Sequence, residues 1–200
     1  MISTGAAAQP GAARPLRADA QRNYQRLIDA ATATFTEQSA DDASLEEIAR
    51  RAGVGIGTLY RHFPNRQALL EAVYSDQVSQ LRRRADELAG ADDPVAALAE
   101  WLGAVITFGR TKRSLVTALL ANLDKGSELL SACSTVLREA AGVVLRRAQQ
   151  AGAVRPDTDC KDLLRLVHGI SMAVEREPAD SGQAQRLLAL VLDGLRHQPG

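Results

Sequence analysis

Apolar residues recur at helical spacing along most of this chain, and no stretch shows the sustained alternation that a β-strand needs. In the first such segment, residues 18–38, the apolar positions fall on one face of a helix: they are Tyr24, Leu27, Ile28, Ala31 and Phe35. The 200 residues are 46% hydrophobic and 24% charged, which is ordinary for a globular protein with a buried core. We therefore predict an all-α globular fold.

Start and stop signals divide the chain into nine predicted helices. Ser44 can cap the second helix, with Glu47 completing a capping box, and Gly53 can end it. Asn65 can cap the fourth helix, and Pro94 suits the first turn of the fifth. The predicted helices cover 18–38, 45–52, 56–63, 66–88, 94 through 108, a segment around 115–123, 127–151, a segment from a cap at Asp157 or Thr158 to 176, and 183–197.

Residues 1–17 are rich in alanine and glycine and show no periodicity, so we predict a disordered N-terminal arm. Arg14 and Arg17 precede the first acidic residue of the chain. A basic arm that touches phosphates therefore stands beside the simpler interpretation of an unstructured terminus.

The composition excludes several classes of protein. The formal net charge is zero, with 24 basic and 24 acidic residues, so any basic footprint for nucleic acid must be local. We expect no membrane span, because no run of about 18 apolar residues occurs, and no secretory signal. Cys133 and Cys160 are too far apart for a CxxC pair, which argues against a zinc site or a disulfide scaffold and favours a reducing cytoplasm. The three histidines show no metal spacing, and no catalytic motif is present, so we expect no metal, no cofactor and no enzyme.

The most informative segment is 44–66, SLEEIARRAGVGIGTLYRHFPNR, in which two short predicted helices flank a turn at Gly53. This arrangement predicts a helix-turn-helix, whose crossing angle would be fixed by buried side chains such as Ile48, Leu59 and Phe63. A helix that projects from the protein surface fits the major groove of DNA, which is about 12 Å wide, and its N-terminal residues meet the base edges.

Residues 18–74 resemble the DNA-binding domain of the TetR family of transcriptional regulators. The resemblance rests on the run S-x-x-x-I-A-x-x-A-G-V at 44–54 and on G-T-L-Y-R-H-F at 57–63. It implies contacts with DNA for a set of residues matched position by position, of which Arg61 is the best candidate for a bidentate contact with guanine. That set is Ser44, Ile56, Gly57, Thr58, Tyr60, Arg61, His62 and Arg66.

The resemblance also implies an architecture and a function. The architecture is a nine-helix, all-α fold with a three-helix domain over 18–65 and a ligand-binding and dimerisation domain over 66–200, opened by a long connecting helix over 66–89. The function is that of a repressor that binds a palindromic operator in double-stranded DNA as a homodimer and is released by a small-molecule effector. Whether the regulator represses or activates transcription stays open, because that depends on where the operator lies relative to the promoter.

The segment departs from some relatives at Glu46 and Glu47, where those relatives carry basic residues. Over residues 14–66, eight arginines face seven acidic residues, a net charge of +1. Strong non-specific affinity for DNA is therefore not implied.

The larger domain mixes apolar side chains with a few polar groups, which fits a small-molecule pocket and an ordinary helical core alike, and the TetR resemblance implies the pocket. The aromatic members favour an apolar or aromatic effector. The predicted lining residues are Trp101, Val105, Phe108, Leu119, Cys133, Leu137, His168 and Met172.

The last two predicted helices are apolar over more than half of their circumference, so each must bury two faces. One face can meet the core of its own chain and the other a second copy, which predicts a twofold contact between protomers, with a larger monomeric bundle as the alternative. The predicted interface residues are Leu164, Met172, Leu187, Leu188, Val191 and Leu195.

A second function class is a small helical ligand-binding protein or enzyme with a regulator-like fold. Such a protein would need a cluster of titratable groups in the larger domain. The sequence offers there only His168 and scattered carboxylates.

Overall fold

The computed structural model describes residues 13–38, 40, 42–120, 123–178 and 181–196. These residues form α-helices, with one isolated β-bridge between Val154 and Arg196, and the predicted all-α class is confirmed. The helices are α1 (Ala13–Glu37), α2 (Leu45–Arg51), α3 (Ile56–His62), α4 (Arg66–Leu88), α5 (Pro94–Leu120), α6 (Leu123–Gln150), α7 (Cys160–Ala173) and α8 (Gln183–Leu195).

The described residues hold eight helices, because α5 continues without a break through the span where two helices were predicted. The segment between the two predicted helices contains no proline, and its only strong breaker is Gly109. A glycine inside a helix costs about 1 kcal/mol relative to alanine. Here Gly109 faces Ser171 of α7 at a distance that leaves no room for a Cβ, so packing between the helices explains the glycine.

Helix α1 begins at Ala13, so residues 13–17 of the predicted arm are helical. Pro15 is compatible with this start, since it falls in the first turn, where a backbone amide has no partner within the helix. Residues 1–12 and the side chains of Arg14 and Arg17 lie outside the described residues, so the proposed phosphate contact of the arm stays a prediction.

Capping side chains set the starts of α2 and α4, as predicted. The Ser44 Oγ accepts from the backbone N–H of Glu47 at 3.3 Å. The Asn65 Oδ1 accepts from the N–H of Ala68 at 2.9 Å. Only half of the predicted capping box forms, because the Glu47 carboxylate pairs with Arg50 at 2.6 Å instead of reaching back.

The cap of α7 differs from both predicted residues. Asp159 occupies the cap, and its Oδ1 accepts from the N–H of Lys161 at 2.7 Å. The prediction of Asp157 or Thr158 was wrong by one or two positions. Asp157 is instead paired with Arg155 at 2.6 Å, which removes its carboxylate from the helix start.

The small domain is built on the predicted apolar stripe of α1. Its members Leu27, Ile28 and Ala31 are fully buried, and Phe35 is almost so. The turn between α2 and α3 passes through Gly53, whose φ of +67° is a left-handed conformation that glycine adopts without strain. The first helix therefore supplies the platform on which α2 and α3 are held.

In the larger domain α4, α5 and α6 pack side by side, and α7 and α8 cover α5. Trp101 of α5 is fully buried, and its Nε1 donates to the Leu81 carbonyl of α4 at 2.8 Å. The cores of both domains form one continuous apolar cluster, because the long α4 contributes to each. The small domain is thus joined to the helices of the larger one by packed side chains as well as by the chain itself.

Candidate functional site

Helix α3 presents one face to solvent and the other to the core. Ile56 and Tyr60 are 38% and 46% exposed, and the Arg61 side chain is also exposed. Leu59 and Phe63 of the same helix are buried at 0% and 2% exposure. The structure therefore shows the predicted division of α3 into core residues and outward-facing residues. Gly55 and Gly57 are exposed too and leave open space in front of the backbone.

Arg61 is exposed on α3 and available to a partner outside the chain, as Arg26 is on α1. Within the described residues neither arginine has a hydrogen bond or an ion pair. Three other arginines of the domain are engaged internally: Arg22 with Asp19, Arg50 with Glu47, and Arg51 with Glu37. Since these pairs neutralise basic groups, the net positive charge available to a phosphate backbone is small.

Two of the predicted DNA-contacting residues hold the domain together. Two guanidinium nitrogens of Arg66 donate to backbone carbonyls before α2, one to Ala43 at 2.6 Å and the other to Ala40. The half-buried His62 ring lies 5.9 Å from the Tyr24 ring, measured between centroids, in an edge-to-face arrangement. Arg66 therefore fixes the loop between α1 and α2, and His62 helps to pack α3 on α1.

Ser44 is exposed at the start of α2, as its predicted contact requires, but it lies beside a carboxylate. Its hydroxyl donates to the Glu46 Oε2 at 2.8 Å. The backbone N–H of Glu46 and this hydroxyl lower the pKa of the Glu46 carboxyl, which is ionised at neutral pH. A phosphate approaching Ser44 would meet a fixed negative charge.

The larger domain contains two adjoining cavities beside α5 and α7. The first, about 320 Å³, lies between α5, α6 and α7, and the second, about 390 Å³, lies between α5 and α7. Both volumes fall in the range of small-molecule sites, roughly 300–1,000 Å³. The residues common to both cavities are Gly109, Lys112, His168 and Ser171.

The structure brings five of the eight predicted pocket residues to these cavities. They are Val105, Phe108, Leu137 and His168 in the first cavity, and Met172 with His168 in the second. Trp101, Leu119 and Cys133 are buried in the core and line neither. Burial also raises the pKa of the Cys133 thiol, as expected for a cysteine that packs as a small apolar residue.

Sequence reasoning missed the positive charge of the first cavity. Among the described residues, its lining includes Lys112, Arg138, Lys161 and Arg165 and no carboxylate. A signal was available in the sequence, because Lys161, Arg165 and His168 recur at helical spacing beside the apolar stripe of α7. These cations make an effector that is only apolar or aromatic a poor match for the lining.

The cavities meet where α5 and α7 are in close contact. A Cβ added to Gly109 would lie 2.4 Å from the Ser171 Oγ, and four residues further on Arg113 of α5 pairs with Glu175, just after the end of α7, at 2.8 Å. The two helices therefore run side by side in the same direction. The Ser171 hydroxyl is turned inward and donates to the Val167 carbonyl at 3.0 Å.

Of the predicted interface residues, Met172 is 57% exposed, whereas Leu188 is 7% exposed and belongs to the core. Leu164 lines the first cavity. The other three residues, Leu187, Val191 and Leu195, are half-buried against the core. The most exposed large apolar side chains of α7 and α8, besides Met172, are Leu166 and Leu190, at 51% and 70%.

Neither a metal centre nor a membrane-spanning element emerges from the part of the chain that is described. No group of three or more His, Cys, Asp or Glu residues within it is arranged to hold a metal ion. No helix found there combines the length and apolarity needed to cross a bilayer. Cys133 and Cys160 are both free thiols.

Comparison with known proteins agrees with this architecture. Residues 27–73 match the family described as "Bacterial regulatory proteins, tetR family", and residues 93–197 match the family described as "Transcriptional regulator SbtR-like, C-terminal domain". The HTH-type transcriptional regulator UidR of Escherichia coli is 26% identical over 186 residues, which cover 88% of this chain and 94% of that protein.

Two solved structures are similar over nearly their whole length. The TetR transcriptional regulator SCO0520 from Streptomyces coelicolor is 36% identical with a TM-score of 0.79, covering 88% of this chain and 99% of the other. A TetR regulator from Mycobacterium vanbaalenii is 33% identical with a TM-score of 0.75, covering 92% of this chain and 100% of the other.

A helix-turn-helix followed by a helical ligand-binding domain defines a bacterial transcriptional regulator. The chain belongs to the TetR family of such regulators.

Proposed function

We propose that this regulator is a repressor that binds a palindromic operator as a homodimer and leaves it when a small molecule occupies the larger domain. The observation that carries the proposal is the exposed face of α3. Tyr60 and Arg61 are directed into solvent, while Leu59 and Phe63 hold the helix from behind. Such a helix can enter a major groove, where an arginine forms two hydrogen bonds with guanine.

Readout of the bases would depend on few side chains. Arg61 offers the strongest hydrogen bonds, the half-buried Thr58 and the Tyr60 hydroxyl offer weaker ones, and Ile56 offers apolar contact with a thymine methyl group. Gly55 and Gly57, which have no side chain, let the backbone approach the duplex closely. We assign supporting roles to Arg66 and His62, which position the domain, and we place Ser44 at the edge of the phosphate contact.

Dimerisation would present two copies of α3 to successive major grooves, about 34–36 Å apart along the duplex. The exposed leucines Leu166 and Leu190, with Met172, support a second copy as the partner of α7 and α8. Leu190→Glu should convert a dimer into a monomer in light scattering, and Gln185→Glu, at another exposed position of α8, should not. A monomeric wild-type chain, or a dimeric Leu190→Glu variant, would contradict this arrangement.

Release by an effector requires that the ligand prefer the protein conformation that does not fit the operator, because a ligand shifts the equilibrium only by its differential affinity. The cavities beside Lys112 and His168 are the proposed effector site. We propose a regulatory role for the protein in the cytoplasm, and we assign no catalytic step to the cavities.

The test is fluorescence anisotropy with a labelled duplex from the region upstream of the gene, at two salt concentrations. Arg61→Ala should weaken binding by about 1–3 kcal/mol, or roughly 5- to 150-fold, and Tyr60→Phe by a smaller factor. Arg83→Ala is the matched control, because Arg83 is an exposed arginine of α4 for which the described residues provide no partner. Unchanged binding by both α3 variants would reject the assigned face.

A further inference from the structure

We propose that the first cavity binds an organic carboxylate with an apolar body, whose charged group lies at Lys112 and whose body lies against Val105 and Phe108. The proposal rests on the proposed function, since it takes this ligand to be the effector. It departs from the apolar or aromatic effector that the sequence suggested.

Charge is the first argument. Three of the cations that line the cavity, Lys112, Arg138 and Lys161, have no carboxylate partner within the described residues, whereas Arg165 pairs with Asp162 at 2.8 Å. The chain as a whole carries no net charge and contains only three lysines, two of which are in this lining. A local excess of cations without acids is complementary to an anion.

Burial of one of these cations is the second argument. Lys112 is half-buried between α5 and α7, and the loss of hydration lowers its pKa. An ammonium group removed from water is unfavourable unless a counter-charge or hydrogen-bond acceptors replace the lost solvent. The carboxylate that lines the second cavity, on Glu175, is already paired with Arg113 at 2.8 Å, so the described lining leaves Lys112 without a free counter-charge.

The order of residues along the cavity is the third argument. Val105 and Phe108 are 7% and 8% exposed and form an apolar floor, whereas Arg138, Lys161 and Arg165 are exposed and form a cationic rim. Lys112 follows Phe108 by one helical turn on α5 and lies between floor and rim. A ligand with a charged end and an apolar end matches this gradient in one orientation.

The ligand itself is unidentified, so the experiment uses two matched pairs of probes in isothermal titration calorimetry without DNA. Decanoate is compared with decanol, and 2-naphthoate with 2-naphthylmethanol. We expect at least one carboxylate to bind about ten-fold or more tightly than its neutral partner, because a charge-assisted hydrogen bond is roughly twice as strong as a neutral one. Lys112→Met should abolish this preference, while Arg83→Met, outside both cavities, should keep it.

Several outcomes would overturn the proposal: no binding of either carboxylate, equal binding of the neutral partners, or an unchanged preference in Lys112→Met. A circular dichroism melt of each variant shows whether it is folded, and Lys112→Gln serves as a second charge-removing variant if Lys112→Met is not. Release from the upstream duplex is measured separately by anisotropy. Carboxylate binding without release would support the anion site and contradict the effector step. Release by the alcohols alone would support the effector step and overturn the anion site.

Discussion

Phe108, on the floor of the first cavity, lies against Tyr74 of α4, with ring centroids 5.7 Å apart and ring planes inclined at 50°. The two residues join the cavity to the helix that directly follows the helix-turn-helix. A ligand that displaces the Phe108 ring must therefore also change the surroundings of α4. This contact connects the proposed effector site with α4, and α5 also packs directly on α1 of the DNA-binding domain.

We expect Tyr74→Leu to lower the free energy of unfolding by about 1–2 kcal/mol, because it removes an aromatic pair worth about 0.5–1.5 kcal/mol together with some buried area. Tyr74→Phe keeps the ring and should change stability much less. Urea denaturation of the two variants measures the difference. Equal losses in both would show that the hydroxyl, and not the ring contact, stabilises this region.

Arg66→Met should destabilise the protein by about 1.5–3 kcal/mol, since hydrogen bonds to charged groups are worth roughly that amount. The physical reason is the pair of bonds from the guanidinium to the Ala40 and Ala43 carbonyls. The salt dependence of operator affinity separates this role from a phosphate contact. Loss of a phosphate contact would reduce the magnitude of the slope of log affinity against log salt by about 1, whereas a positioning residue leaves it unchanged.

Glu46→Gln should strengthen operator binding, in contrast to the substitutions in α3. The carboxylate is ionised at neutral pH and lies beside Ser44, so its removal relieves repulsion of the phosphate backbone. The expected gain is a few-fold at low salt and smaller at high salt, measured by anisotropy. Glu139→Gln, at an exposed carboxylate on α6, is the control, and a similar gain there would point to a general effect of net charge.

Gly109→Ala should destabilise the larger domain by about 1–3 kcal/mol, the usual cost of overpacking. The added Cβ would lie 2.5 Å from the Ser171 Cβ, so one of the two helices must shift. Ser171→Gly removes the side-chain atoms that the new Cβ would meet. The double variant Gly109→Ala/Ser171→Gly should therefore recover most of the stability lost in Gly109→Ala, apart from the intrinsic cost of a glycine inside α7. A double variant as unstable as the sum of the two single variants would rule out this contact as the cause.

The stability contributed by Lys112 should change with pH in a defined direction. Its pKa in the folded chain is lowered by burial, so between the folded and unfolded pKa values the unfolded chain binds more protons. Stability therefore rises as the pH rises through the folded pKa towards the ordinary lysine value of about 10.4. Lys112→Met should accordingly melt at a higher temperature than wild type at pH 7, and this advantage should shrink at pH 10. Lys161→Met, at an exposed lysine of the same lining, is the control for the removal of one positive charge.

The sequence was most informative where local signals and tertiary packing agree. The apolar stripe of α1, the caps at Ser44 and Asn65 and the outward residues of α3 follow from periodicity and capping, and the structure contains them. The TetR resemblance added roles that periodicity alone could not supply. It predicts a DNA contact for Arg66, and the structure adds that the Arg66 guanidinium holds the loop before α2.

The cavity was predictable only in outline. Periodicity assigns Trp101 and Val105 to the inner face of the same helix but cannot tell which of the two borders empty space, since that depends on how α7 crosses α5. The crossing is set by Gly109 and Ser171, which are 62 residues apart in the chain. The cationic lining combines residues of three helices, and no local sequence pattern within α5 or α6 predicts it.

The burial of Trp101 gives this protein an intrinsic optical probe. It is the chain's single tryptophan, and its indole is bonded to the Leu81 carbonyl across the seam between α4 and α5. Emission excited at the indole band therefore reports on that seam alone, with no label and no background from a second site. A ligand that separates α4 from α5 would shift the emission of this tryptophan to longer wavelength in the unmodified chain. Compound libraries can therefore be screened for binding without operator DNA.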